Sequence, residues 1–225
     1  RKDIEGNDSD LAKELRAFAE QGYVGDRYGV DGGFVLRQVN LNGQDRVFMF
    51  GAMGLGGRGA YALDLTKIDS NPVGVSMFDV QNDKNNNKND SNRVKLGYTV
   101  GTPQIGKTQN GKYAAFLASG YAAKDIVSSD NTTALYVYDL KNTLGTPIRK
   151  IDVPGGKGGL SSPTLVDKDL DGIVDIAYAG DRGGNMYRFD LSSDKPSEWA
   201  VRTIFEGTKP ITSAPAVSRL ADKRV

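Results

Sequence analysis

The chain has 225 residues, 29 basic against 28 acidic side chains for a net charge of +1, 38% hydrophobic content, and neither cysteine nor histidine. Those absences exclude disulfides, thiol nucleophiles, Cys/His zinc sites and any Ser-His or Cys-His catalytic pair, and the near-neutral balance offers no bulk attraction to nucleic acid or to a bilayer. No stretch approaches the ~20 apolar residues of a membrane span, while 28 glycines spread among short apolar runs point to many tight turns between short strands.

Residues 8–21 predict a helix, with Asp8 or Ser9 as N-cap, Asp10 in the first turn and Gly22 beyond the end. Leu11, Leu15 and Phe18 recur as a single apolar stripe, expected to pack against a β domain, with docking to a partner as the alternative. Residues 1–29 thus read as a helix and lead-in packed on the region 30–225. The opening at Arg1 in a polar run, without the pattern of a signal peptide, reads as an excised domain of something longer, any export signal of which would lie upstream.

From there the chain repeats. Ala60-Tyr61-Ala62-Leu63-Asp64-Leu65, Leu135-Tyr136-Val137-Tyr138-Asp139-Leu140 and Met186-Tyr187-Arg188-Phe189-Asp190-Leu191 end three segments alike. Upstream of the second and third stand Gly101-Thr102-Pro103 and Ser161-Ser162-Pro163, and the series resumes at Ser213-Ala214-Pro215. The first unit divides into strands at 33–39, 46–51, 59–65 and 73–80, and the second at 100–105, 113–119, 134–140 and 147–153. The third divides at 162–166, 173–179, 185–191 and 199–205. Four short antiparallel strands per repeating unit is the pattern of β-propeller blades, here at about 30–80, 97–155 and 160–207, with a fourth begun at about 211. A β-sandwich is the other fold to weigh, but sandwiches lack unit-to-unit similarity. Because propellers close with about 4 to 8 blades, more blades are expected after Val225.

Between the first and second strands, blade one has Asn40-Leu41-Asn42-Gly43-Gln44-Asp45 and blade two Thr108-Gln109-Asn110-Gly111-Lys112, both carrying the Asn-Gly of a tight hairpin. Blade three has Asp167-Lys168-Asp169-Leu170-Asp171-Gly172-Ile173-Val174-Asp175 instead. Asp167, Asp169 and Asp171 hold positions one, three and five of a Ca²⁺ loop, Gly172 allows the sharp turn, Ile173 offers its carbonyl at seven and Asp175 stands at nine. Carboxylates so crowded repel one another, and a hard, flexibly coordinated cation bridging their oxygens relieves this. The loop is not an EF-hand, since position twelve is Tyr178 and a strand follows. The alternative is a solvated acidic turn with no ion.

Strand order puts this loop on the propeller face opposite two insertions, 81–96 and 121–133. In the first, Asp83, Asn85, Asn87 and Asp90 outline a degenerate second ion loop, though neutral amides, two lysines and the lack of a glycine favour a plain polar loop. Asp64, Asp139 and Asp190 close the third strands, where Asp caps turns. Gly54-Leu55-Gly56-Gly57-Arg58-Gly59 looks like a phosphate loop but precedes a strand, so it reads as a turn. Asp181-Arg182-Gly183-Gly184 lacks the residue order of an Arg-Gly-Asp tripeptide.

The run from Tyr178 through Gly180-Asp181-Arg182-Gly183-Gly184-Asn185 to Leu191, directly after the acidic loop, resembles the C-terminal propeller domain of the PilC/PilY family of type IV pilus biogenesis factors and pilus-tip adhesins. The helix, Gly22-Tyr23, Tyr28-Gly29-Val30-Asp31-Gly32 and the first blade ending agree, so the resemblance covers essentially the whole chain. It departs in the first blade, where Gly32-Gly33-Phe34 stands in place of Ser-Pro. The resemblance implies an all-β, modified, quinoprotein-like β-propeller with four-stranded antiparallel blades and one N-terminal helix. It also implies calcium on Asp167, Asp169, Asp171, Ile173 and Asp175 that governs pilus extension against retraction, twitching motility and host-cell adhesion. The implied setting is the bacterial surface, outer membrane or pilus tip, with minor pilins and a host receptor as partners, no nucleic acid and no enzymatic activity. Two alternatives accompany it: a scaffold that calcium merely rigidifies, and a quinone-dependent dehydrogenase, for which Trp199 is the sole tryptophan.

Overall fold

The computed structural model describes residues 11–23, 28–83, 91–121, 132–142, 144–222 and 224–225, apart from the side chains of 11–14. Helix α1 spans Leu11–Gln21, and Gly22 follows it at φ +75°, the left-handed turn that ends a helix. The expected caps Asp8 and Ser9, and the first-turn Asp10, lie outside the described residues. The stripe differs from expectation. Leu15 and Phe18 are 60% and 55% exposed rather than packed on the β region, because helical periodicity defines an apolar face without supplying its partner.

Among the described residues, twelve strands follow in three sheets. The first holds β1 (Phe34–Leu41), β2 (Gln44–Ala52), β3 (Gly59–Asp64) and β4 (Ser76–Gln81). The second holds β5 (Gln104–Lys107), β6 (Tyr113–Ala118), β7 (Ala134–Asp139) and β8 (Arg149–Asp152), and the third β9 (Thr164–Val166), β10 (Ile176–Gly180), β11 (Asn185–Asp190) and β12 (Ala200–Glu206). Each is an antiparallel meander in chain order, as the repeat predicts.

The hairpins explain the short spacing. Asn42 and Gly43 both take positive φ, +53° and +80°, which matches the right-handed twist of the flanking strands in a two-residue turn. Asp64, Asp139 and Asp190 accept from the amides of Thr66, Lys141 and Ser192 at 3.1, 2.9 and 3.1 Å, so each caps the turn leaving its third strand. Gly54–Gly56 is a single 3-10 turn leading into β3, with no following helix to receive an anion.

The innermost strands order the sheets around a common line, β1 touching β5 and β5 touching β9. Thr102 N donates to Ser162 Oγ at 2.8 Å across that line. Two cores fill the gaps between sheets. In the first, Phe48, Phe50 and Phe78 meet Tyr136 and Tyr138 of β7, the Phe50 and Tyr138 rings stacking at 6.0 Å. In the second, Phe116, Leu135 and Val137 meet Val174, Tyr187, Phe189 and Trp199. Strand β7 is therefore buried on both faces, even residues toward blade one and odd toward blade three. Each such side chain contributes about 1.5–3 kcal/mol, enough to make neighbouring blades mutually dependent.

Residues 211–217 form no strand but run beside β9. Ile211 N donates to Asp181 O at 2.9 Å and Thr164 Oγ1 to Pro215 O at 2.6 Å. The hub here is Asp181, fully buried, whose carboxylate accepts from the amides of Lys157, Gly183 and Asn185 and from Tyr187 Oη.

Candidate metal centre

The loop begins as β9 ends at Val166 and finishes where Asp175 rejoins the sheet. Asp175 N donates to Val166 O at 2.9 Å, and Leu191 N donates to Asp175 O at 2.8 Å, so its backbone is held from both sides within blade three. Between these anchors the chain turns through Leu170 at φ +64° and Gly172 at φ +87°. Glycine adopts that conformation freely; leucine does so at a cost of roughly 1–2 kcal/mol.

The loop's own amides are spent on its carboxylates. Asp167 accepts from Asp171 N at 3.1 Å and Gly172 N at 2.7 Å, Asp175 from Lys168 N at 2.7 Å, and Asp171 from Ile173 N at 2.8 Å. Single oxygens of Asp167, Asp169 and Asp175 lie within 4.8 Å of one another. Oxygens bound to one Ca²⁺ at about 2.3–2.6 Å stand no more than about 5 Å apart, so the trio matches a single hard cation in spacing and in donor chemistry. Asp171 is not part of that trio, its Oδ1 being turned to the Ile173 amide. Asp167 and Asp175 are half-buried and Asp169 is exposed, which sets the three acids at the rim of the blade.

The last residues of the loop depart from the sequence expectation. Strand β10 starts at Ile176, not at 173, because Ile173 pairs instead with Lys107 of β5 in a parallel bridge, and Val174 N donates to Lys107 O at 2.8 Å. Gly106 makes room: a Cβ there would lie 2.5 Å from Val174 Cγ2. Gln109, in the hairpin turn of blade two, donates from Nε2 to Asp175 Oδ1 at 3.1 Å. Nothing in a blade-by-blade reading marks Gln109, a polar residue in a polar turn. The signal lies in laying the equivalent hairpins of adjacent blades side by side.

Other candidate positions resolve differently. Asp83 accepts from Val94 N at 2.9 Å, while Asn85, Asn87 and Asp90 lie outside the described residues. Burial raises the pKa of the Asp64 carboxyl, but hydrogen bonds from Arg46 and Thr66 outweigh this and hold it below its ordinary value. The hydroxyl of Ser192 is the main cause of a lowered Asp190. Trp199 is buried in the core between blades two and three and its indole N–H donates to Ser193 O at 2.8 Å, a packing role. Among the described residues no helix is long and apolar enough to cross a membrane.

The whole chain, residues 1–225, matches the family model described as the PilY1 beta-propeller domain. The chain belongs to the PilY1 β-propeller family. It is similar to the type IV pilus biogenesis factor PilY1 of Pseudomonas aeruginosa (strain UCBPP-PA14), 36% identical over 168 residues, covering 73% of this chain and 13% of that protein. A PilY1 homolog of Xylella fastidiosa (strain Temecula1 / ATCC 700964) is 34% identical over 186 residues, covering 77% and 12% respectively. The crystal structure of the Pseudomonas aeruginosa PilY1 C-terminal domain superposes with a TM-score of 0.70 at 27% identity, covering 99% of this chain and 48% of that one. The chain therefore spans less than a sixth of these PilY1 relatives and about half of the solved domain. The PilY1 family assignment agrees with a mostly β architecture of four-stranded antiparallel blades preceded by one helix.

Proposed function

We propose that this chain is a non-enzymatic, calcium-binding propeller domain of a type IV pilus-associated surface protein, in which ion occupancy regulates pilus extension against retraction and thereby twitching motility and host-cell adhesion. Asp167, Asp169, Asp171, the carbonyl of Ile173 and Asp175 are its ligands. The carrying observation is the convergence of the Asp167, Asp169 and Asp175 oxygens within 4.8 Å. The pilus setting is supported by relatives named as type IV pilus biogenesis factors. On this reading the protein is exported to the outer membrane or pilus tip, minor pilins are its partners, and a host receptor is contacted. Residues 1–29 form the lead-in, 30–225 the propeller region, and the segment from about 211 the start of a further blade.

Bound calcium supplies charge that the loop's amides cannot. The residues do the rest: Asp167 and Asp175 are oriented by backbone donors, and the loop ends are fixed in strands. An ion present at 100 times its Kd adds about 2.7 kcal/mol to the folded state. Asp169→Ala is the test, since that exposed side chain is not required by the blades. Calorimetry should show calcium uptake lost with the ion-free melting temperature retained, and pilus-bearing cells carrying the variant should retract and adhere differently from the parent. Unchanged uptake would remove the site, and unchanged motility and adhesion would remove the regulatory role.

A further inference from the structure

Asp175 is held from two blades at once. One carboxylate oxygen accepts from Lys168 N of its own loop at 2.7 Å, and the other from Gln109 Nε2 of blade two at 3.1 Å. From this we infer that Gln109 is a positioning residue for Asp175 and that through it the occupancy of the acidic loop is transmitted to the neighbouring blade; the inference rests on the calcium reading above.

Three features make the junction a clasp and not a single contact. Gln109 sits on a turn with little freedom of its own. Thr108 N donates to Lys112 O at 2.8 Å, Gly111 N to Thr108 O at 2.9 Å, and Thr108 Oγ1 lies 2.5 Å from Asn110 Oδ1. Directly before that turn, Lys107 O receives the Val174 amide, and Ile173 pairs with Lys107. Directly before Lys107, the bare Cα of Gly106 admits the Val174 side chain, which belongs to the core between the two blades. Residues 106–109 of one blade thus grip residues 173–175 of the next. The basic residue of the same turn, Lys112, is engaged elsewhere, with Asp139 at 3.2 Å, so Gln109 carries the polar side-chain link to the loop.

An amide N–H on one carboxylate oxygen fixes the rotamer of a ligand and directs its remaining lone pairs, which is how residues behind a ligand tune a metal site. When an ion draws Asp175 into place, the bond carries that order to the 108–112 turn. When the loop is ion-free, the same bond ties the turn to a carboxylate that no cation holds in place.

The experiment compares the full chain with Gln109→Ala and Gln109→Met, titrated with calcium chloride by calorimetry and followed by amide hydrogen exchange. In the parent, calcium should slow exchange both in 167–176 and in 106–112. In each variant the calcium Kd should rise about tenfold, slowed exchange should be confined to 167–176, and the ion-free melting temperature should match the parent. Met keeps the length and packing of the side chain without its donor, so a Met variant with parental Kd and parental protection of 106–112 would overturn the inference. Failure of the parent itself to take up calcium would instead overturn the calcium reading, together with everything built on it.

Discussion

Replacing Gly106 by alanine would drive a methyl group into the seam between blades two and three. The new carbon would stand 2.5 Å from Val174 Cγ2, 3.1 Å from Leu165 Cδ1 and 3.8 Å from Phe116 Cε2. Carbon pairs are at rest near 3.5–4.0 Å, so the first contact is short by about 1 Å and the second by about 0.5 Å. Val174 is β-branched and 6% exposed, with one favoured rotamer and packed neighbours, so the strain passes to its backbone. Overpacking of this kind costs about 1–3 kcal/mol, against which alanine's narrower unfolded ensemble returns about 0.4–1 kcal/mol. The net loss lies between about 0 and 2.6 kcal/mol with a midpoint of about 1.3 kcal/mol, which corresponds to a fall in melting temperature of roughly 3–5 °C for a chain of this size. The second consequence is specific to the seam: moving Val174 moves Asp175, so calcium affinity should weaken alongside stability. Thermal unfolding monitored by circular dichroism and calcium calorimetry on the same sample read both quantities. A variant as stable as the parent, or one that loses stability while binding calcium at full strength, would refute the coupling of Gly106, Val174 and the loop.

Two further substitutions probe the frame around the site. Asp181→Ala removes a fully buried carboxylate and strands three backbone amides and the Tyr187 hydroxyl, so urea unfolding should show a loss of roughly 3 kcal/mol or more; less than 1 kcal/mol would mean the hub is dispensable. Asp64 has a lowered folded-state pKa, so the unfolded chain takes up its proton first as pH falls, and the carboxylate's contribution is present above the ordinary value of 3.8 and lost below the folded value. Asp64→Asn should therefore cost about 1 kcal/mol at pH 7 and nothing in strong acid, and a gap that persisted at low pH would contradict the assignment of Arg46 and Thr66 as partners of the charged form.

The blades were legible because their punctuation is local. Asn42-Gly43 needs two left-handed residues and has them, and each Asp that ends a third strand binds the amide two residues on. What escaped the sequence depends on a neighbour. Ile173-Val174-Asp175-Ile176 alternates like any strand, yet its first residues pair across to β5, a choice enabled by a glycine some seventy positions away. Gln109 and Asp181 look like ordinary turn residues until the blades are assembled. The helix stripe was correct in period, but period alone does not name what covers Leu15 and Phe18. In the loop, spacing placed four carboxylates near one centre, while backbone geometry turns the Asp171 oxygen to the Ile173 amide and groups Asp167, Asp169 and Asp175.

The position of the loop bears on why calcium would regulate rather than simply stabilise. The blade-one hairpin closes in two residues that suit their conformation, and Asn40 Oδ1 accepts from Gly43 N within that turn. The acidic loop keeps Leu170 left-handed, a backbone strain, and crowds three carboxylate oxygens within 4.8 Å, a repulsion that a cation would relieve. An element built this way sits at the low end of local stability, ordered or loosened without unfolding the blades. Were it on a free edge, that change would end at the surface. Here its C-terminal end is the segment that pairs with Lys107 and fills the space over Gly106, so loosening the loop loosens the packing of blade three on blade two. On the calcium reading, ion concentration sets the firmness of one seam of the propeller, and partners that sense the relative placement of those two blades sense the ion.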